Sequence, residues 1–291
     1  MKSKKGKMKN NILCTLCVLC AFLTGCNEKK TNNTIPVNGD STAVVEETIA
    51  DTLLTKQYSK EQNNAMGDYR VTMQFPVAND ENAILVNSIR EWISEQMGGN
   101  YEGKLENPED MLDFYLKDIV KTFKNEYGAG ETETQMNLMD HRRITKTYEN
   151  SRLVTWLFHE ESYMGGAHGG VVNYGQTFRK SDGRRIGWEV FVSPYDENFQ
   201  KILRQGLVEY FSENGERISE EQLSEYLQGE ATQYYIPLPQ CLPIFQKDGV
   251  CFLYNQYEIA AYAAGMPQFV VPYQKLKTLL NVTGRQLVES I

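Results

Sequence analysis

The stretch RLVTWLFHEESYMGGAHGGVVNYGQTF, residues 152–178, decides the fold class. Its first half alternates: Val154, Trp156 and Phe158 fall on one face and Leu153, Thr155 and Leu157 on the other, the two-residue period of a strand. Its second half repeats the pattern with Val172, Tyr174 and Phe178. Between them lie four glycines around His168. Gly165, Gly166, Gly169 and Gly170 permit positive φ or a close backbone approach, as a bulged hairpin or a strand passing tightly against another element requires. Strand, turn, strand is therefore expected.

The flanks extend this pattern in both directions. On the N-terminal side, YRVTMQFPV (69–77) alternates as a half-buried strand. Two helices follow. Ile84, Leu85, Ile89, Trp92, Ile93 and Met97 recur at helical spacing before Gly98-Gly99. Asn107-Pro108-Glu109-Asp110 then supplies an N-cap residue, a proline at the first helical position and acids in the first turn. That helix has an apolar face of Met111, Leu112, Tyr115, Ile119 and Phe123, and Gly128-Ala129-Gly130 ends it.

On the C-terminal side, Ser181-Asp182-Gly183 signals a turn before the strand-like RIGWEVFV. Helical spacing returns in ENFQKILRQGLVEYF, and Ser219 with Gln222 forms a capping box. VCFLYN and QFVVPY read as strands flanking EIAAYAAG, with a last helix at QKLKTLL. The expected fold is α+β, an antiparallel meander packed with helices in one or two small lobes. Residues 63–150 form an N-terminal lobe (a strand plus two helices) and 151–291 a C-terminal α+β lobe.

Residues 1–25 read differently. MKSKKGKMKNN carries five lysines and no acid, and a short apolar run from Ile12 to Leu23 follows. That is the pattern of a secretory signal, too short to span a bilayer, which takes about 20 residues. Leu23-Thr24-Gly25-Cys26 resembles the bacterial lipobox, which implies cleavage between Gly25 and Cys26 and lipidation of Cys26 by acyl chains such as palmitate. More than one chain gives stable anchoring. Residues 26–62 are polar, with no aromatic before Tyr58, and read as a disordered tether. Within it Ser41 and Thr52 sit in short motifs resembling O-glycosylation acceptors of Bacteroidota. Asn27-Glu28-Lys29-Lys30 lacks the acidic run resembling surface-export signals, so the expected location is the outer membrane, facing the periplasm.

The whole chain has 30 Lys+Arg and 38 Asp+Glu. Losing the five signal lysines leaves 25 against 38, a net charge of -13. Such a protein repels phosphate backbones, which excludes nucleic acid as an expected partner and suits a basic protein. Cys14, Cys17 and Cys20 leave with the signal, so Cys241 and Cys251 are the remaining pair. They form either one disulfide, as an oxidising compartment allows, or two buried thiols.

Tyr163, Gly165, Gly166, Ala167 and His168, then Phe178 and Gly183, then Tyr254, Tyr257, Glu258, Ile259, Tyr262, Gly265, Val271 and Pro272 together resemble one envelope domain family. It is the domain of unknown function found in the lysozyme-binding part of RsiV-type anti-sigma factors and in the accessory region of PdaC-type peptidoglycan deacetylases. The resemblance covers roughly residues 65–285. It implies a noncatalytic, cofactor-free envelope module, whose partner would be a lysozyme-like basic protein or a wall glycan. The sequence carries neither a sigma-binding segment nor a deacetylase module. The alternatives are a hydrolase of peptidoglycan or polysaccharide with His168 in its site, and a structural or accessory lipoprotein.

The enzyme readings each lack a second part. HEESY begins like a zincin helix but has Tyr163 where H-E-x-x-H needs histidine, and a closed zinc site takes about four ligands. HGGV at 168–171 is similar to an esterase oxyanion loop, yet no G-x-S-x-G elbow accompanies it. Glu160 and Glu161 are adjacent on a strand and point to opposite faces, so they do not converge for glycoside chemistry. Neither a catalytic residue nor a metal site is therefore expected. His168 is left to tie its own turn through a backbone carbonyl or carboxylate, or to line a ligand groove with Tyr163, Tyr257, Glu258 and Tyr262, whose amphipathic rings suit recognition.

Overall fold

The computed structural model describes residues 52–128, 137–212 and 217–289. The signal region, Gly25, Cys26, Ser41 and most of the expected tether lie outside them. Among the described residues no helix is long and apolar enough to cross a membrane.

Six strands run side by side in chain order: β1 (Thr55–Asn63), β2 (Gly67–Pro76), β3 (Leu138–Glu149), β4 (Leu153–Tyr163), β5 (Gly170–Arg179) and β6 (Arg185–Ile186). All neighbours are antiparallel except β2 and β3. A parallel pair cannot close through a tight turn and needs a crossover. Here the crossover is α1 (Ala83–Met97) followed by α2 (Pro108–Tyr127). Asn107 starts α2 by accepting the Asp110 N–H at 3.3 Å, the cap that the sequence signalled. The alternation of β2 is realised from Tyr69 to Phe75, with Tyr69, Val71 and Met73 completely buried; it ends at Pro76, which is buried too, and Val77 lies beyond the strand. They join Ile89, Trp92 and Ile93 of α1, Tyr115 and Ile119 of α2, and Val154, Trp156 and Phe158 of β4 in one apolar cluster. Buried Asp140 holds Arg142 in a two-pronged contact at 2.9 Å. Arg142 also donates to the Met97 carbonyl at the end of α1 (3.0 Å), where a cation offsets the helix dipole.

The remaining elements surround a second cluster. β7 (Ile244–Phe245), β8 (Val250–Leu253) and β9 (Gln268–Val271) form a three-stranded antiparallel sheet. With it pack α3 (Glu197–Phe211), α4 (Tyr273–Leu276) and α5 (Val282–Val288). Asp196 caps α3 by accepting the Phe199 N–H at 3.0 Å. Phe191, Phe199, Phe245 and Phe252 form the aromatic centre, with Trp188 stacked on Phe252 at 5.8 Å. The two sheets meet on the side of β4 and β5 away from Trp156. There the hydroxyls of Thr155 and Thr177 lie 2.9 Å apart, and Thr155 donates to the Phe245 carbonyl at 2.8 Å. Gly175 makes the approach feasible, since a Cβ at this position would lie 2.4 Å from the Ile244 side chain.

Nine strands and five helices among the described residues are an α+β fold, as expected. Several details depart from the sequence reading. β1 (Thr55–Asn63) takes up the end of the stretch read as tether, residues 26–62; it carries no apolar alternation and is held by its backbone pairing with β2. The division expected at 150/151 falls in the turn of the β3–β4 hairpin, whereas the two apolar clusters part nearer residue 180. RIGWEVFV is a strand only at Arg185–Ile186 and then a 3-10 turn at Trp188–Val190. Ser219 and Gln222 pair through the backbone N–H of Ser219 (2.8 Å), but what they open is a 3-10 turn, Glu221–Glu225. QKLKTLL is helical only through Leu276, and α5 follows it with its own cap, Asn281 to the Gly284 N–H.

Candidate functional site

β5 has β4 on one side, but among the described residues its other edge has no neighbouring strand beyond the short β6. Unpaired edge groups need partners, and side chains from the second region supply them. The N–H of Val171 donates to Gln256 Oε1 and that of Asn173 to Asn255 Oδ1, both at 2.8 Å; the N–H of Gly175 donates to Cys241 Sγ at 3.2 Å. Asn255 returns the favour of a strand neighbour by donating from Nδ2 to the Asn173 carbonyl at 3.1 Å. The loop after β8 thus zips onto β5 through side chains.

That zip sets the position of Tyr257. Its φ is 65°, the one positive value at a non-glycine residue among the described residues. A bulky residue there is strained, by roughly 1–3 kcal/mol. Its side chain is 59% exposed, so no core packing explains the strain. Glu258 braces the same turn: its carboxylate accepts the Asn255 N–H at 2.7 Å and the Gln240 N–H at 2.6 Å. Burial pushes the Glu258 carboxyl above its ordinary value, against the pull of those two N–H groups.

The β4–β5 connection faces Tyr257. Gly165 and Gly166 take φ of 85° and 100°, and the Tyr163 hydroxyl donates to the Gly166 carbonyl at 2.9 Å. His168 Nδ1 lies 2.9 Å from the Gly169 carbonyl, fixing the ring on its turn. Its Nε2 lies 3.1 Å from the Tyr257 hydroxyl. The imidazole stacks on Tyr262, with ring centres 3.7 Å apart and planes 20° apart, and Tyr257 stands 5.7 Å from Tyr262. His168, Tyr257 and Tyr262 form one surface group of rings.

Of the five residues expected to line a groove, the structure therefore unites three. Tyr163 and Glu258 support the turns behind them. One nitrogen of His168 ties its own turn, and the ring belongs to the surface group. Sequence reasoning missed Asn255 and Gln256. Their signal was present as two amides interrupting the apolar run VCFLYNQYEIAA.

The titratable groups are dispersed among separate partners. His141 faces Asp68 at 3.0 Å, and His159 bridges Asn173 and Glu161. Glu160 turns to the other side of β4, 3.3 Å from Arg142. Among the described residues no three His, Cys, Asp or Glu side chains are grouped to hold a metal ion. Cys241 and Cys251 are free and buried, with Ile244, Leu253 and Leu157 around them. Burial pushes their thiols up, to about 12 and about 11. Thr52 is exposed at the start of the described chain.

No curated protein matches the chain. A solved protein of the DUF3298 family from Bacteroides fragilis superposes with a TM-score of 0.60 at 18% identity, over 81% of this chain and 97% of its own. A second, from Pseudomonas aeruginosa, gives a TM-score of 0.56 at 14% identity, over 80% of this chain and 96% of its own. At such identities the likeness shows a shared fold. The family model described as "Protein of unknown function (DUF3298)" matches residues 189–274, the span that carries α3, β7–β9 and the loop with Tyr257 and Tyr262.

Proposed function

We propose that this chain is a noncatalytic binding protein of the bacterial cell envelope, held to the membrane by lipid on Cys26, and that it docks its partner on the rings of His168, Tyr257 and Tyr262. The observation that carries this reading is Tyr257. A strained backbone that presents an exposed ring serves no packing need, and such strain persists where the surroundings over-determine it, commonly at ligand clamps. Rigid rings with polar tips lose little entropy on binding and offer apolar faces to sugar C–H groups or to another protein's side chains. The lipobox and the resemblance to cell-wall-associated modules support an envelope partner. Between a wall glycan and a lysozyme-like basic protein, the stacked pair His168–Tyr262 favours the first and the excess of acidic residues the second.

The test is a pull-down and titration with soluble muropeptides and with lysozyme. Saturable binding to either is expected, and Tyr257→Ala with Tyr262→Ala should weaken it at least tenfold. Turnover of peptidoglycan that His168→Ala abolishes would establish a hydrolase instead. Absence of both binding and turnover would leave an accessory lipoprotein. Cys26→Ala should move the protein from the membrane fraction to the soluble one.

A further inference from the structure

The opposite end of the β4–β5 hairpin holds a different kind of site. From Tyr163 back to Leu153 the strand covers about 30 Å at the usual rise per residue. There the β3–β4 turn, the β5–β6 turn, the start of α1, the helix α5 and the chain at Thr52–Leu53 enclose a pocket of about 440 Å³, within the usual size of small-molecule sites. Its apolar wall is Leu53, Leu85 and Leu287, each almost fully buried. Its polar wall includes Arg152, Arg179 and Lys180, against one acid among the described residues, Glu81. In a chain with a net charge of -8, three cations on one concave surface are out of proportion.

Two of these cations have a carboxylate partner that lies outside the pocket lining. Arg179 is gripped by Asp182, with Nε 2.8 Å from Oδ1, and Lys180 lies 2.9 Å from Glu149. Arg152 donates to the Gln286 carbonyl of α5, and its nearest carboxylate, Glu289, is 3.9 Å away. Its side chain keeps 43% of its surface open. Arg152 thus has guanidinium donors left for a ligand, and Arg179 and Lys180 add positive charge to the same wall, a combination that recognises phosphate or carboxylate. Hydroxyls and amides of Ser151, Ser181, Thr283 and Asn82 complete the polar side.

We infer that this pocket binds a small amphipathic anion, with a phosphate or carboxylate head on Arg152, in the positive field of Arg179 and Lys180, and a short apolar portion against Leu53, Leu85 and Leu287. Such a head comes either from a phospholipid or from a free organic phosphate. The site is separate from the ring cluster, and its test does not depend on that reading.

Calorimetric titration of the full chain with octyl phosphate, inorganic phosphate and 1-octanol reads the proposal directly. Octyl phosphate should bind at least tenfold more tightly than either fragment, and added salt should weaken it. Arg152→Glu should reduce that affinity at least tenfold with unchanged circular dichroism and melting temperature. Asn82→Asp, which brings a negative charge to the wall, should weaken it in the same direction and serves if the first variant fails to fold. Competition by dihexanoyl phosphatidylglycerol would assign the lipid source, and its failure to compete the free organic phosphate. Equal affinity for 1-octanol, no binding of octyl phosphate, or full affinity in both variants would overturn the inference.

Discussion

The two apolar regions of this molecule are organised by different means. Around Trp156, order follows hydrophobic period: a two-residue alternation on β2 and β4 meets the three-to-four-residue spacing of α1 and α2. Around Tyr254, much of the chain has no regular structure, and side chains take over the work of backbone pairing. Gln200 holds Ile236 by both its N–H (2.8 Å) and its carbonyl (2.9 Å). Asn255 does the same for Asn173, and Glu258 braces two further N–H groups. A periodic region tolerates conservative exchange of one apolar residue for another. A region clipped by single amides is sensitive at each clip, because removal leaves a buried backbone group unpaired. The exposed rings lie against the clipped region, where a strained turn can be held in place.

Substitutions should separate the two regimes. The largest effect is expected for Trp156→Ala, whose ring is completely buried; a loss of about 3–5 kcal/mol should appear as a lower midpoint of urea unfolding for the whole chain. Asn255→Ala should cost about 2 kcal/mol. Its mark should be local, with faster amide hydrogen exchange at Asn173 and Val171 and unchanged protection in α1 and α2. Uniform loss of protection would show that the two regions unfold as one.

The carboxylates Glu258 and Glu149 give a pH test of opposite sign. Glu258 is raised by burial. Its contribution to stability is therefore full below the ordinary glutamate pKa of about 4.3, and it is lost as pH rises through the folded value. Burial also pushes Glu149 up, but Lys146, the Leu53 N–H and Lys180 outweigh that and pull it below its ordinary value. Its contribution is full above the ordinary pKa and is lost as pH falls through the folded one. Glu258→Gln should accordingly flatten the decline of stability above pH 4.3, and Glu149→Gln the acid limb; thermal melts across pH 3–7 would read both. The smallest effect is expected for Tyr257→Gly. Relief of the positive φ should offset the lost ring contacts and the added chain entropy to within about 1 kcal/mol, while partner binding drops. A large fall in melting temperature would instead make Tyr257 a structural residue.

The same contrast governs what could be read beforehand. β2, α1 and α2 announce themselves because each buries one face, and burial leaves a period in the sequence; β4 and β5, covered on both faces over part of their length, show through apolar residues and the glycine turn between them. β1 leaves none: TKQYSKEQN is mostly exposed and joins the sheet through its main chain. The parallel pairing of β2 with β3 was likewise invisible, since register depends on where the crossover helices deliver the chain. Within the candidate site, His168, Tyr257 and Tyr262 stood out by residue type and by the glycines around them. Their meeting across 89 residues depends on the amides of Asn255 and Gln256, whose hydrogen bonds have no periodic trace. The cationic pocket drew its residues from five segments, none of which carries a ligand-binding motif.

Cys241 and Cys251 have a practical consequence. Their thiols sit where β7 and β8 meet β5, and their high pKa values leave almost no thiolate at neutral pH. An alkylating reagent should therefore reach them only while that seam is open. The rate at which the pair is labelled becomes a clock for the opening of the clipped region alone. Read beside the unfolding of the Trp156 region, it measures how long each half keeps its shape without the other.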